Sequence, residues 1–191
     1  FLPTLIDHIK PQQVEKHWKP IMEPLDLMGF NYGMHLAEPL HALNPKRLLV
    51  HSETYPSSIG KTCPVTLRCK NVIGWDYLGE VGIGVVEYGK QPLRMNKPYP
   101  CVSSGVGSVN LAGEIEAQGH FTQIVYGQCD EPYIAVHPVP HAGQKRRMSR
   151  WRGTDAVNSW SWNGCEGMLA QIDVYSSASE VELLHDYKSL G

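Results

Sequence analysis

The sequence carries almost no net charge and contains no long hydrophobic run. Its 17 lysines and arginines nearly balance its 19 aspartates and glutamates, which leaves a formal net charge of -2. Nucleic-acid-binding domains usually carry a basic patch or a pI above ~9, and a membrane-spanning helix needs ~20 apolar residues in a row. The first ten residues do not form a signal peptide, because Asp7 and His8 interrupt them. We therefore expect neither a nucleic acid nor a membrane as partner.

Paired cysteines and metal-ligand motifs are also lacking. The five cysteines are odd in number and show no C-x-x-C spacing, so we expect free thiols rather than a zinc ribbon or a redox site. His137 and His141 have a metal-like spacing, but Pro138 and Pro140 prevent the helix that would align both imidazoles. We expect no metal and no cofactor.

What the sequence does contain is enough apolar residues for a core and many turn-forming residues. Hydrophobic residues make up 42%, and the 18 glycines with the 14 prolines predict many turns and short elements. With 191 residues the chain is too short for a complete eightfold β/α barrel, which needs ~250. It begins inside an amphipathic stretch and ends just after a strand-like run, so we expect a piece of a longer protein.

Three apolar runs with polar ends are the most informative feature. Residues 25–32, 46–53 and 71–78 start 21 and 25 residues apart and are apolar without strict alternation. This pattern is typical of strands buried in a parallel sheet. Active sites of α/β folds gather where such strands end. The polar side chains at these three ends are Asn31, Tyr32, Glu53, Trp75 and Asp76.

The remaining patterns predict helices, further strands and a change of architecture. We expect helices over residues 12–19, 37–43 and 114–126, and a strand over 132–137. Residues 61–70 favour extended chain, since Pro64, Val65 and Thr66 lie there. Alternation over residues 168–175 and 180–184 is typical of an antiparallel β-sandwich, so we place a domain boundary near residue 128.

Each candidate site residue has a functional and a structural interpretation. Glu53 can serve as nucleophile in acetal cleavage, or it is an ordinary glutamate after a strand. Asn31 and Tyr32 either orient a neighbouring carboxylate or form a strand-end turn. Trp75 and Asp76 either stack on and hydrogen-bond a sugar, or are a core tryptophan with a capping aspartate.

Several segments of the sequence together match a known pattern, beginning with LDLMGFNY, KRLLVHSETYP and WDYLGEVGIG. They resemble the last strands of the catalytic barrel in glycoside hydrolase family 2, which includes β-galactosidases, β-glucuronidases and β-mannosidases. QGHFTQIVYG is similar to the final barrel helix. PYIAVHP, SWSWNGCEG and IDVYSSASEVELLHDYKSLG are similar to the link into the following immunoglobulin-like domain and to its strands.

The resemblance implies a fold and a set of roles. Residues 1–127 would be the C-terminal part of a TIM barrel, and residues 128–191 the linker and start of an immunoglobulin-like β-sandwich. Glu53 matches the nucleophile, Asn31 and Tyr32 the strand-end pair that lines the pocket, and Trp75 and Asp76 sugar-contacting positions. The family's acid/base glutamate lies in an upstream Asn-Glu dipeptide, and this sequence contains none.

The leading hypothesis is a fragment of a retaining β-galactosidase that is inactive alone. A β-glucuronide or a β-mannoside is the alternative substrate. A carbohydrate-binding or interaction module without catalysis is the alternative function. The expected partners are a β-galactoside or related carbohydrate and the remainder of the same enzyme, or further copies of the chain.

Overall fold

The computed structural model describes residues 8–77, 87–88, 108–110, 112–144, 146–147, 150 and 153–191. The chain forms two compact units, Phe1–Gly79 and Glu80–Gly191. The boundary near residue 128 stays a prediction. Among the described residues, none of the helices has the length and apolar character needed to cross a membrane.

The first unit alternates helices and strands. In chain order its elements are helix α1 (Pro11–Met22), strand β1 (Leu27–Asn31), helix α2 (Ala37–Leu43), strand β2 (Leu48–Thr54), helix α3 (Ile59–Arg68) and strand β3 (Val72–Tyr77). The strands form one parallel sheet in the order β1-β2-β3. The α/β part of the prediction is confirmed here, whereas the assignment of this unit to the C-terminal part of a TIM barrel stays a proposal.

The core of this unit lies on one side of the sheet. Met28 and Phe30 of β1 and Leu49 of β2 are buried together with Val14 of α1 and Leu40 of α2. The opposite face of the sheet carries exposed apolar side chains: the register partners Leu27 and Leu48 are each 40% exposed. Parallel sheets are normally covered on both faces, so an exposed apolar face is unusual for such a sheet.

The prediction of extended chain over residues 61–70 is wrong, because α3 occupies most of that range. Pro64 lies inside this helix, where it removes one backbone hydrogen bond. Ile59, Cys63 and Thr66 follow one another at helical spacing and are all buried. Burial of this face outweighs the local preference of the proline for extended chain.

The described part of the second unit contains one α-helix, one short 3-10 helix and short strands. Its elements are strand β4 (Glu87–Tyr88), helix α4 (Ala117–Val125), strand β5 (Tyr133–Val136), and strands β6 (Arg146–Arg147), β7 (Ile172–Tyr175), β8 (Leu184–His185) and β9 (Lys188–Ser189). The antiparallel pairs are β4 with β6, β5 with β7, and β8 with β9. Ala117, Ala135 and Ala156 form a small core against which Tyr133 and Tyr175 pack.

The predicted strand over residues 180–184 is largely wrong. Regular pairing begins only at Leu184, and the chain turns back at once through Asp186 and Tyr187, which have φ values of 48° and 61°. Two successive positive φ values are typical of the tight turn that closes a two-residue hairpin. The alternating side chains thus belong to the start of a hairpin, and an immunoglobulin-like sandwich stays a proposal.

Candidate active site

Tyr32 and Glu53 meet where the two neighbouring parallel strands β1 and β2 end. The Tyr32 hydroxyl donates a hydrogen bond to Glu53 Oε2. The Tyr32 backbone N–H also donates to the Glu53 carbonyl oxygen at 2.7 Å. The sheet therefore joins these two residues through both main chain and side chain, as expected for polar groups at the carboxyl edge of parallel strands.

The backbone of Tyr32 has a left-handed conformation, with a φ of 57°. Such a conformation costs a non-glycine residue roughly 1–2 kcal/mol, and strained backbone of this kind clusters at functional sites. The Tyr32 ring stacks on Tyr55, with ring centroids 4.3 Å apart and an angle of 19° between the planes. The stacking restricts the ring, so the hydroxyl stays directed at the carboxylate.

Irregular strand pairing surrounds Glu53 on both sides. On the β1 side Phe30 pairs with His51 and Asn31 with Glu53, so Ser52 is skipped. On the β3 side the register shifts between His51 and Thr54. Bulges of this kind re-aim side chains and are common beside active sites. Here the shift leaves Glu53 half-buried at the sheet edge.

Asn31 lies at the same edge but bonds to a different residue. Its Oδ1 accepts a hydrogen bond of 2.7 Å from the hydroxyl of Ser52, and both side chains are exposed. Asn31 and Tyr32 are thus both brought to Glu53, Asn31 as its register partner and Tyr32 by direct contact. Both residues are therefore neighbours of the Glu53 carboxylate, as the interpretation that they orient a carboxylate requires. Their roles stay predictions.

Trp75 and Asp76 lie on β3, the third strand of this sheet. The Cα of Trp75 pairs in register with that of His51. The backbone of Trp75 therefore lies beside the last regularly paired residue of β2 before the register shift between His51 and Thr54. The side chains of Trp75 and Asp76 lie outside what the structure describes, as do residues 78–80 of the same motif. Their predicted contacts with a sugar therefore stay predictions.

Two neighbours of the site were missed by sequence reasoning. Tyr55 and His51 both lie in the segment KRLLVHSETYP, but no sequence pattern singled them out. His51 is fully buried, and neither of its ring nitrogens has a hydrogen-bond partner among the described residues. Its ring meets Phe30 edge to face at 4.5 Å. Burial, helped by the nearby His35, lowers the pKa of His51 to about 4, so His51 is neutral at pH 7.

A second cluster of ionisable residues lies in the other unit. His137 Nδ1 is 2.6 Å from Asp155 Oδ1, and Nε2 is 2.8 Å from Asp173 Oδ2. Both ring nitrogens are thus engaged by carboxylates, and His141 ends a separate short turn. In the described part of the chain, no group of three or more histidines, cysteines, aspartates or glutamates is arranged to hold a metal ion.

Comparison with known proteins gives matches among solved structures alone. No family profile and no curated protein matches the chain. A glycosyl hydrolase family 2 member from Bacteroides cellulosilyticus DSM 14838 is 24% identical, with a TM-score of 0.67 over 91% of this chain and 21% of its own. A second structure of a family 2 member from Bacteroides cellulosilyticus, from microfluidic crystals, is 25% identical, with a TM-score of 0.70 over 96% and 24%.

The predicted resemblance to this family is therefore confirmed. The similarity extends over nearly the whole of this chain, yet the chain spans less than a quarter of the length of either solved structure.

Proposed function

We propose that this chain is the C-terminal part of the catalytic barrel of a retaining β-glycosidase, with the start of the immunoglobulin-like domain that follows. The family 2 neighbours support a glycoside hydrolase fragment. We propose a β-galactosidase as the leading candidate, because the sequence motifs resemble those of β-galactosidases most. Because the chain covers so little of its neighbours, the activity belongs to the whole enzyme.

In the proposed reaction Glu53 attacks the anomeric carbon of the bound sugar. A glutamate outside this chain protonates the glycosidic oxygen as that bond breaks, and a glycosyl-enzyme ester forms on Glu53. The same outside glutamate, now ionised, takes a proton from water, which attacks the anomeric carbon and releases Glu53. Two displacements retain the configuration of the sugar.

The hydrogen bond from Tyr32 to Glu53 is the observation that carries the proposal. A nucleophilic carboxylate must be ionised and must point one oxygen at the anomeric carbon. The Tyr32 hydroxyl bonds to Oε2 and fixes the rotation of the carboxylate, so the other oxygen can face the substrate. A hydrogen bond to a charged group contributes about 1.5–3 kcal/mol, and here it also orients the attacking group.

A chimera tests this role, in which the chain replaces the matching portion of one of the Bacteroides proteins. We expect the chimera to hydrolyse nitrophenyl β-galactoside faster than the β-glucuronide and the β-mannoside. Glu53→Gln should lower kcat at least a thousandfold. Glu53→Ala should regain turnover with azide, which replaces the missing nucleophile and yields the glycosyl azide of inverted configuration. Glu38 of α2, an exposed glutamate that pairs with Arg68, provides the matched control as Glu38→Gln.

Full activity of the Glu53→Gln chimera would overturn the assignment. Loss of activity that azide does not restore in Glu53→Ala would argue that Glu53 has a structural role, and azide rescue that yields the glycosyl azide of retained configuration would argue that Glu53 is the acid/base residue instead.

A further inference from the structure

A cleft in the second unit, far along the chain from Glu53, has the composition of a sugar-binding site. It encloses about 500 Å³ and is lined by nine residues, two of them tryptophans. Small-molecule sites typically have volumes of about 300–1,000 Å³ and combine apolar walls with a few polar groups. The polar groups here include Asn163 and Glu166, and the apolar ones Trp160, Trp162 and Met168.

The two indoles differ in how they are held, since of the two only Trp162 has a side-chain hydrogen bond to a described residue of the local chain. Trp160 is 60% exposed, which leaves a broad aromatic surface in water. Trp162 is half-buried, and its Nε1–H donates to the Ser159 carbonyl oxygen at 3.1 Å. The Ser161 N–H donates to Ser159 Oγ at 3.2 Å. These bonds orient the Trp162 ring and the backbone beside Trp160, so a ligand would meet a surface that is partly ordered before binding.

Two consecutive turns form the polar side of the cleft. The Cys165 N–H bonds to the Trp162 carbonyl and the Met168 N–H to the Cys165 carbonyl, each at 3.0 Å. Gly164 and Gly167, the third residues of these turns, have φ values of 77° and 78°, which suit glycine there. Asn163 and Glu166 therefore occupy equivalent second positions of successive turns, and both line the cleft.

We propose that this cleft, whose lining residues all belong to the second unit, binds a neutral pyranoside. The apolar C–H face of a pyranose packs on an indole ring, while its hydroxyls donate to a carboxylate and exchange hydrogen bonds with an amide. Among the described lining residues Glu166 is the one charged side chain, and it is negative. An anionic sugar such as a uronate would be repelled and would find no cation among those residues.

Ligand-observed NMR on the whole chain tests the site with lactose and cellotetraose, and with methyl β-glucuronide as the anionic probe. We expect saturable binding of the neutral sugars with a Kd on the order of 1 mM, since an open cleft leaves much of the ligand in water. The glucuronide should bind at least tenfold more weakly. Trp160→Ala should weaken binding of the neutral sugars at least tenfold, and Trp160→Tyr, which keeps an aromatic face, less than threefold.

Matched variants show whether the sugars bind at this cleft or elsewhere on the chain. Trp18 of α1 is 37% exposed and lies outside the cleft, so Trp18→Ala should bind the sugars as the unchanged chain does. Glu166→Gln should weaken binding of the neutral sugars severalfold. It should also reduce the difference in Kd between the neutral sugars and the glucuronide, because the negative charge that repels the glucuronide is removed. Because Trp160 is mostly exposed, its replacement should leave the circular dichroism spectrum unchanged. Glu53→Gln should leave this binding intact, so failure here would not affect the nucleophile assignment.

The proposal is overturned if neither neutral sugar saturates up to 50-fold above the expected Kd. It is equally overturned if Trp160→Ala binds as well as the unchanged chain, or if Trp18→Ala loses as much affinity.

Discussion

Replacing His51 by phenylalanine should remove a large part of the acid sensitivity of the fold. His51 is fully buried, and both its ring nitrogens lack partners among the described residues. Burial lowers its pKa from 6.5 to about 4 in the folded chain. Between these values the unfolded chain binds the proton and the folded chain does not. The free energy of unfolding therefore falls as the pH drops below 6.5.

The size of this effect follows from the pKa difference. Each unit of pKa difference corresponds to about 1.4 kcal/mol. The shift of the His51 pKa from 6.5 to about 4 therefore lowers the free energy of unfolding by about 3 kcal/mol between pH 7 and pH 4. Phenylalanine keeps the aromatic contact with Phe30 and has no group to protonate in this range. His51→Phe should thus be at least as stable as the unchanged chain at pH 7. Between pH 7 and pH 4 its free energy of unfolding should fall by about 3 kcal/mol less than that of the unchanged chain.

Urea unfolding of the whole chain, followed by circular dichroism between pH 7 and pH 4, measures this difference. His17 on α1 is exposed, so His17→Phe is the matched control and should follow the pH profile of the unchanged chain. Parallel pH profiles for the unchanged chain and His51→Phe would refute the reasoning, because acid destabilisation would then arise entirely from other groups.

Three further predictions test separate parts of the account. Tyr32→Phe in the chimera removes the hydroxyl that donates to Glu53. It should lower kcat roughly tenfold to a hundredfold, which corresponds to about 1.5–3 kcal/mol, with little change in KM. An unchanged kcat would show that the bond does not orient the nucleophile. The isolated chain should not hydrolyse nitrophenyl β-galactoside, because its sequence holds no Asn-Glu dipeptide, and turnover that Glu53→Gln abolishes would contradict this. His137→Leu removes the imidazole whose two ring nitrogens contact the carboxylates of Asp155 and Asp173 and should destabilise the second unit by about 1–3 kcal/mol, measured by urea unfolding; an unchanged free energy of unfolding would show that these two contacts do not stabilise the fold.

The parallel strands were predictable because their signal is local. The runs ending at Asn31 and Glu53 are apolar over a strand length and then turn polar, and burial of a sheet in an α/β unit demands that pattern. The sequence also indicated that Tyr32 and Glu53 would share one edge. Resemblance to a known family then assigned their roles, which the spacing alone left open.

What the sequence did not reveal depends on long-range packing. The helix around Pro64 forms because it buries Ile59 and Cys63. The helix propensities of the individual residues do not include this contribution. The skipped residue Ser52 and the left-handed backbone of Tyr32 arise from pairing between strands. The hairpin beyond Leu184 has a different and local cause, a turn whose positive φ values fall on Asp186 and Tyr187, a pair that lacks the usual glycine signal.

Covalent trapping on the chimera tests the central claim, that Glu53 is the nucleophile, most directly. A 2-deoxy-2-fluoro-β-galactosyl fluoride slows both displacements, and its fluoride leaving group favours formation of the glycosyl-enzyme over its hydrolysis. Peptide mass spectrometry after labelling should find the fluorosugar on Glu53, and competing lactose should slow its accumulation. A fluorosugar ester on any other residue, or a chimera that turns over galactoside without ever carrying the label on Glu53, would contradict the assignment.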